Sequence, residues 1–303
     1  MNVPAVLPPT PADAAEDARR PARRPWLQAL ALLGVCVVAE AASGVLLGAA
    51  TALGREPGAS LMLLIGSFAA VAVVVLLAPW VVRRLTGEPT VLLSRPGALG
   101  ELAAGLVMGT VLITMVFAVL ALAGAYRVTD VGWSTGITVG LYTGLVAGFA
   151  EELLFRGVLF RLVEKRVGTL WSLAVSSLVF GLLHLANPDA TLPGAVAIAA
   201  EAGILLAACY VLTRRLWFAI GVHAAWNFVQ GGVFGSDVSG SGTGRGLLEG
   251  SFSGPVWLTG GDMGVEASVV AVLICLVAGA AVLAVARRRG LLLARAEAPG
   301  RRR

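Results

Sequence analysis

Three polar patches interrupt otherwise apolar sequence: Glu151-Glu152-Leu-Leu-Phe-Arg156, Phe180-Gly-Leu-Leu-His184 and His223-Ala-Ala-Trp-Asn227. His184 and His223 are the only two histidines of 303 residues. Ionisable groups at membrane depth are expensive, so each marks function unless a partner explains it. A carboxylate, two imidazoles and a carboxamide, without a serine or cysteine nucleophile, can activate water. Either the carboxylate serves as general base or the imidazoles hold a metal, and both routes give hydrolysis. The Asn227 amide would hold that water or donate to the oxyanion of a peptide tetrahedral intermediate.

Spacing assigns partners. Residues four apart share a helical face, so Glu152 and Arg156 pair in the favourable acid-first order, and a structural ion pair accounts for both. Glu151 is rotated by about 100° and has no such partner. His223 and Asn227 project together, while His184 comes from a different helix. A lone membrane histidine is ordinarily an interhelical hydrogen bond, but three separate polar sites would be costlier than one shared site. Zinc takes nitrogen and oxygen ligands and keeps one position open in catalytic sites, a count that Glu151, His184 and His223 could fill. The His-Glu-x-x-His zinc motif and the Gly-x-Ser-x-Gly nucleophile elbow are both absent.

The elements that must position these groups are membrane spans. Hydrophobic residues make up 57% of the chain and charged residues 14%, and the mean hydropathy is +0.86, which excludes an ordinary soluble domain. Apolar stretches at 27–53, 60–82, 99–125, 135–160, 170–186, 194–212, 216–233 and 265–286 give an all-α polytopic bundle of about eight spans. Residues 26–289 form the membrane domain. Residues 1–25 are expected to be a disordered tail, and 290–303 a basic tail. The first span could be mistaken for a cleavable signal peptide, but its length favours a retained helix.

The net charge of +5 comes from arginines beside apolar segments, which is topology signal rather than nucleic-acid binding. Arg83, Arg84 and Arg95, Arg161, Lys165 and Arg166, Arg214 and Arg215, and Arg287 to Arg289 all fall on one side of the predicted spans. Both termini are therefore expected in the cytoplasm of a multi-pass inner-membrane protein. Trp26, Trp80, Trp133, Trp171 and Trp217 come near span ends, as an interfacial belt would; Trp226 lies mid-span beside Asn227. The Gly/Ser-rich stretch 235–264 reads as a flexible connection. Cys36, Cys209 and Cys275 have no ligand or pairing motif and are read as buried packing residues.

In that order and on separate helices, Glu-Glu-x-x-x-Arg, Phe-x-x-x-His and His-x-x-x-Asn resemble the motifs of the CPBP intramembrane proteases, the CAAX prenyl endopeptidase and bacteriocin-processing family also called Abi. The resemblance covers about residues 140 to 235. It implies an eight-helix bundle, Glu151 as general base, Glu152 and Arg156 in support, and His184, His223 and Asn227 completing the pocket. It leaves both a zinc-dependent metalloprotease and a metal-free mechanism open. Ala/Gly/Arg-heavy composition points to a GC-rich bacterial genome, where prenylated CAAX substrates are not expected.

The leading reading is an endopeptidase that cuts a membrane-associated protein or peptide near the cytoplasmic face. The alternative is a non-catalytic scaffold or immunity protein, or a proton-coupled transporter that uses the same groups as a relay. Depth is the difficulty: at 1.5 Å per residue, Glu151 and His223 fall about 10–15 Å from the arginine-rich side and His184 about 20 Å. A shared site requires the fifth span to tilt or sit lower. Glu40 and Glu201 are further membrane acids outside any motif; Glu201 could line the cavity, but an interhelical hydrogen bond or a protonated buried acid is the favoured reading.

Overall fold

In the computed structural model, residues 25–53, 57–86, 90–242 and 245–294 are described. Of the expected tails, 1–25 and 290–303, residues 1–24 and 295–303 lie outside them. The helices follow from uninterrupted apolar sequence: α1 (Pro25–Leu53), α2 (57–86), α3 (Ala98–Leu122), α4 (Thr135–Val167), α5 (Thr169–Ala186), α6 (Leu192–Thr213), α7 (217–233) and α8 (Val269–Arg288). Among the described residues seven are long and apolar enough to cross a membrane. The predicted seventh span, α7, is shorter, 11 residues of α-helix followed by six of π-helix. It lies inside the bundle rather than at the lipid surface, and residues 217–227 are buried apart from the half-buried Phe218.

Large apolar side chains on the outside, such as Phe68, Val107, Leu178 and Val277, form the lipid-facing surface. Trp26, Trp80, Trp133 and Trp171 are exposed as an interfacial belt requires. Trp217 is not part of that belt: it is buried, and its indole N–H donates to Ser94 O at 2.9 Å. The three cysteines are free and buried.

Small residues set how close the helices come. A Cβ on Gly105 would lie 2.3 Å from Phe218 O, and one on Gly221 would lie 2.4 Å from Leu102 O, so α3 and α7 touch backbone to backbone. On the other side of α7, a Cβ on Gly144 of α4 would lie 2.5 Å from Ala224 O. These contacts fix α7 between α3 and α4.

The two ends of the bundle differ in charge. At one end Arg214 donates to Glu164 at 2.7 Å and to Leu291 O, while Arg215 binds Glu101 and the Pro96 carbonyl. This end gathers the basic clusters, as the pattern of arginines predicts. The other end holds the connections around 124–134, 187–191 and 234–268. There the Gly/Ser-rich stretch is not a loose linker. Its segment β2 (Leu248–Phe252) pairs antiparallel with β1 (Tyr126–Val131), from Tyr126↔Phe252 to Val131↔Leu248, and Gly240 N donates to Met263 O at 3.1 Å. Glycines with positive φ, among them Gly260 (85°) and Gly264 (89°), turn the chain tightly enough to tuck 261–267 under the bundle.

Candidate active site

Four of the motif residues come from elements whose helical winding is widened. Glu151 ends one π-helical segment (Ala147–Glu151), and Glu152 immediately precedes another (Leu153–Phe160), which contains Arg156. Asn227 ends the α-helical part of α7 just before its π-helical turns. Such insertions occur often at functional sites because they re-aim side chains that regular winding would spread apart.

Glu152 is the hub. Its Oε1 accepts from Arg156 Nη1 at 2.7 Å and faces His223 Nδ1 at 2.9 Å, with Glu152 and Arg156 both 0% exposed. A carboxylate only accepts, so His223 Nδ1 carries the proton and Nε2 keeps its lone pair in the neutral ring. His184 repeats the arrangement, with Nδ1 2.7 Å from Phe180 O. The ring of Phe180 packs between the two imidazoles, with centroids 4.8 Å from His184 and 6.0 Å from His223. Arg156 lies over the same ring at 4.8 Å and reaches α6, donating to Gly203 O at 3.1 Å. The Phe180-x-x-x-His184 spacing therefore does two things: it supplies the carbonyl that orients His184 and the ring that seats Arg156.

His184, His223 and Asn227 line one cavity with Phe180. Glu152 and Arg156 support it from behind. Glu151 does not line it; its carboxylate acts electrostatically on Glu40 of α1 and on Arg156, and its Oε2 is buried without a hydrogen-bond partner. The structure thus joins five of the six motif residues and leaves the sixth one helical face away.

The groups reach the cavity from both ends of the bundle. His184 stands at the last turn of α5, at the arginine-poor end, and Ser239 and Glu266 of the long connection at that end also line the cavity. α7 enters from the arginine-rich end, where Trp217 donates to Ser94 O, and carries His223 and Asn227 inward to meet them.

Glu201 lines the cavity, beyond its expected part as a packing acid, and Glu266, Ser239 and Trp226 join it. Glu266 was hidden in the sequence as the second residue of the predicted span 265–286; the helix begins only at Val269 and 265–267 form a 3-10 turn that carries Glu266 inward. Burial pushes its carboxyl above the ordinary value of 4.5, opposed by Ser239 and His184.

The zinc set fails a geometric test. Among the described residues no three His, Cys, Asp or Glu side chains gather where they could hold a metal ion, and Glu151 is not in the cavity of the two histidines.

Residues 132–229 match the family described as Type II CAAX prenyl endopeptidase Rce1-like. That stretch holds all three motifs, and the resemblance drawn from them is borne out. No curated protein and no solved structure matches the chain.

Proposed function

From the match of residues 132–229 to the Rce1-like CAAX endopeptidase family, we propose that the chain is a membrane endopeptidase of this type in which Glu152 and His223 together activate the hydrolytic water. The observation that carries this reading is the 2.9 Å contact between Glu152 Oε1 and His223 Nδ1. The carboxylate holds the ring with Nε2 toward the cavity and stabilises the imidazolium when it forms, the part an acid plays behind a catalytic histidine generally.

In this mechanism His223 Nε2 takes a proton from water as its oxygen attacks the scissile carbonyl. His184 Nε2 accepts the second water hydrogen and aligns the attack. The Asn227 amide donates to the oxyanion. His223 then returns its proton to the leaving nitrogen as the C–N bond breaks, which leaves a carboxylic acid, an amine and the neutral ring. Arg156 holds Glu152 in place through their 2.7 Å ion pair. No step passes through a metal. The substrate is a membrane-associated protein or peptide; the composition argues against a prenylated one.

A second assignment has an observation of its own: the unpartnered, buried Oε2 of Glu151 is free to act as the base that the family resemblance implies. Two conservative variants separate them. A substrate is first captured with the His223→Ala chain and identified by mass spectrometry, then its cleavage is followed in liposomes. Glu152→Gln is expected to lower the rate by about 10²-fold or more, and Glu151→Gln by less than about tenfold. The reverse ranking would make Glu151 the base. Full activity in both would remove the enzyme reading and favour a scaffold, immunity or proton-relay role.

A further inference from the structure

The cavity has a wall that the hydrolytic residues do not use. Opposite the imidazoles stand two carboxylates, Glu201 of α6 and Glu266, each almost wholly buried at 1% and 2% exposure. Neither is held by a cation. The nearest guanidinium, Arg156, is committed to Glu152 and to the Gly203 carbonyl. Glu266 faces Ser239 and Trp226, yet its Oε1 has no hydrogen-bond partner, and the Trp226 indole N–H beside it is also unpartnered at 5% exposure. Buried polar atoms without partners in a cavity wall mark where a ligand supplies them.

The same cavity has apolar lining from Ile198, Leu205, Leu206 and Val222. Apolar lining beside acids suits a side chain with a methylene stem and a cationic head. No lysine or arginine lines the cavity. A second cavity of about 330 Å³ lies at the arginine-poor end, lined by Asp189, Asp237 and Asp262. The two share the connection around 236–240, where Asn187 donates to Ser239 O at 2.7 Å and Asp189 N to Gly240 O at 3.1 Å. Acids at the outer cavity and acids at the inner wall form a field that draws cations inward.

We infer that Glu201 and Glu266 form a specificity subsite that receives a lysine or arginine side chain of the substrate beside the scissile bond. The inference rests on the proteolytic reading of the histidine cavity and names its substrate class: a basic peptide segment presented at the arginine-poor face. The cationic head supplies the missing donor to Glu266 Oε1, and its stem packs along Leu205, Leu206 and Val222.

The test uses the full chain in lipid nanodiscs and two N-acylated ten-residue peptides that differ only in a central lysine or norleucine. Binding is read by fluorescence anisotropy and cleavage by mass spectrometry on the same samples. The lysine peptide is expected to bind at least about tenfold tighter, the size of effect found when a buried charge gains or loses its partner. Glu266→Gln is expected to shrink that ratio to about threefold or less. Glu201→Gln serves as the second variant, and size-exclusion profiles and melting curves confirm that each variant is folded. Equal binding of the two peptides by the wild-type chain overturns the subsite, as does a ratio unchanged in both folded variants. Cleavage without a charge preference leaves the protease reading standing and removes this inference; a Glu266-dependent preference without cleavage does the opposite.

Discussion

Arg156 and His223 converge on a single atom: their nitrogens lie 2.7 and 2.9 Å from the same oxygen, Glu152 Oε1. One carboxylate oxygen thus serves a structural partner on its own helix and a chemical partner on α7. Separation of these two duties by mutation is what distinguishes a folding defect from a catalytic one.

Arg156→Ala should be a folding variant. It strands Glu152 as a buried charge and empties the contact to Gly203 O, and loss of one member of a buried pair costs about 3–5 kcal/mol. Arg156→Lys should recover little, because an ammonium cannot span Glu152 and the α6 carbonyl together in the planar fork that arginine offers. Folded yield and melting temperature in detergent are the measurements. A normal melt for Arg156→Ala would mean that the pair contributes nothing to the bundle.

The close approach of α3 and α7 gives a steric prediction. Gly105→Val or Gly221→Val places carbon where a backbone oxygen stands, 2.3 and 2.4 Å from an added Cβ, so the helices must separate. Overpacking of this kind costs about 1–3 kcal/mol and often more against rigid backbone. Gly100→Ala on the same α3 meets nothing within 4 Å and should be neutral, or stabilising by up to about 1 kcal/mol from helix propensity. Equal melting temperatures for Gly221→Val and Gly100→Ala would contradict the packing described.

Much of this was legible in sequence, because membrane helices obey composition and length. The span positions and the Glu152–Arg156 pair follow from apolar runs and from i, i+4 spacing. Grouping of the basic clusters at one end follows from their alternation between spans. What was not legible depended on departures from regular helix. Regular winding predicts that Glu151, unpartnered in sequence, faces the site; in the fold π-helical turns on both sides of Glu152 bring that residue to His223 instead. Glu266 was invisible because an acid at the edge of an apolar run reads as a span boundary. Glycine turns that tuck 261–267 inward reflect tertiary context. Trp217 was misjudged for a similar reason: a tryptophan at a span end looks the same whether it faces headgroups or donates to Ser94 O.

Glu266 also gives a pH dependence whose sign can be worked out. Burial raises its folded-state pKa above the ordinary 4.5, so the folded protein holds this proton more tightly than the unfolded chain. Its contribution is fully present below that ordinary value and is lost as pH rises through the raised folded value. The wild-type chain should melt at a higher temperature at pH 5 than at pH 8, and Glu266→Gln should flatten that difference while raising the melting temperature at pH 8. An identical pH profile in the two proteins would show that burial does not raise the pKa of Glu266.

The orientation of the chain in the membrane can be read by labelling, because the two ends of the bundle differ. The basic clusters gather at one end, and Ser239 and Glu266 of the cavity come from the long connection at the other. If arginine-rich ends stay in the cytoplasm, that connection is expected to face outward. Single cysteines decide it, because the native Cys36, Cys209 and Cys275 are buried and should give little background. Ser241→Cys, exposed in the long connection, should react with a membrane-impermeant maleimide on intact cells, whereas Arg166→Cys, exposed at the basic end, should react only after permeabilisation. The opposite pattern would invert the protein in the membrane and turn the long connection toward the cytoplasm.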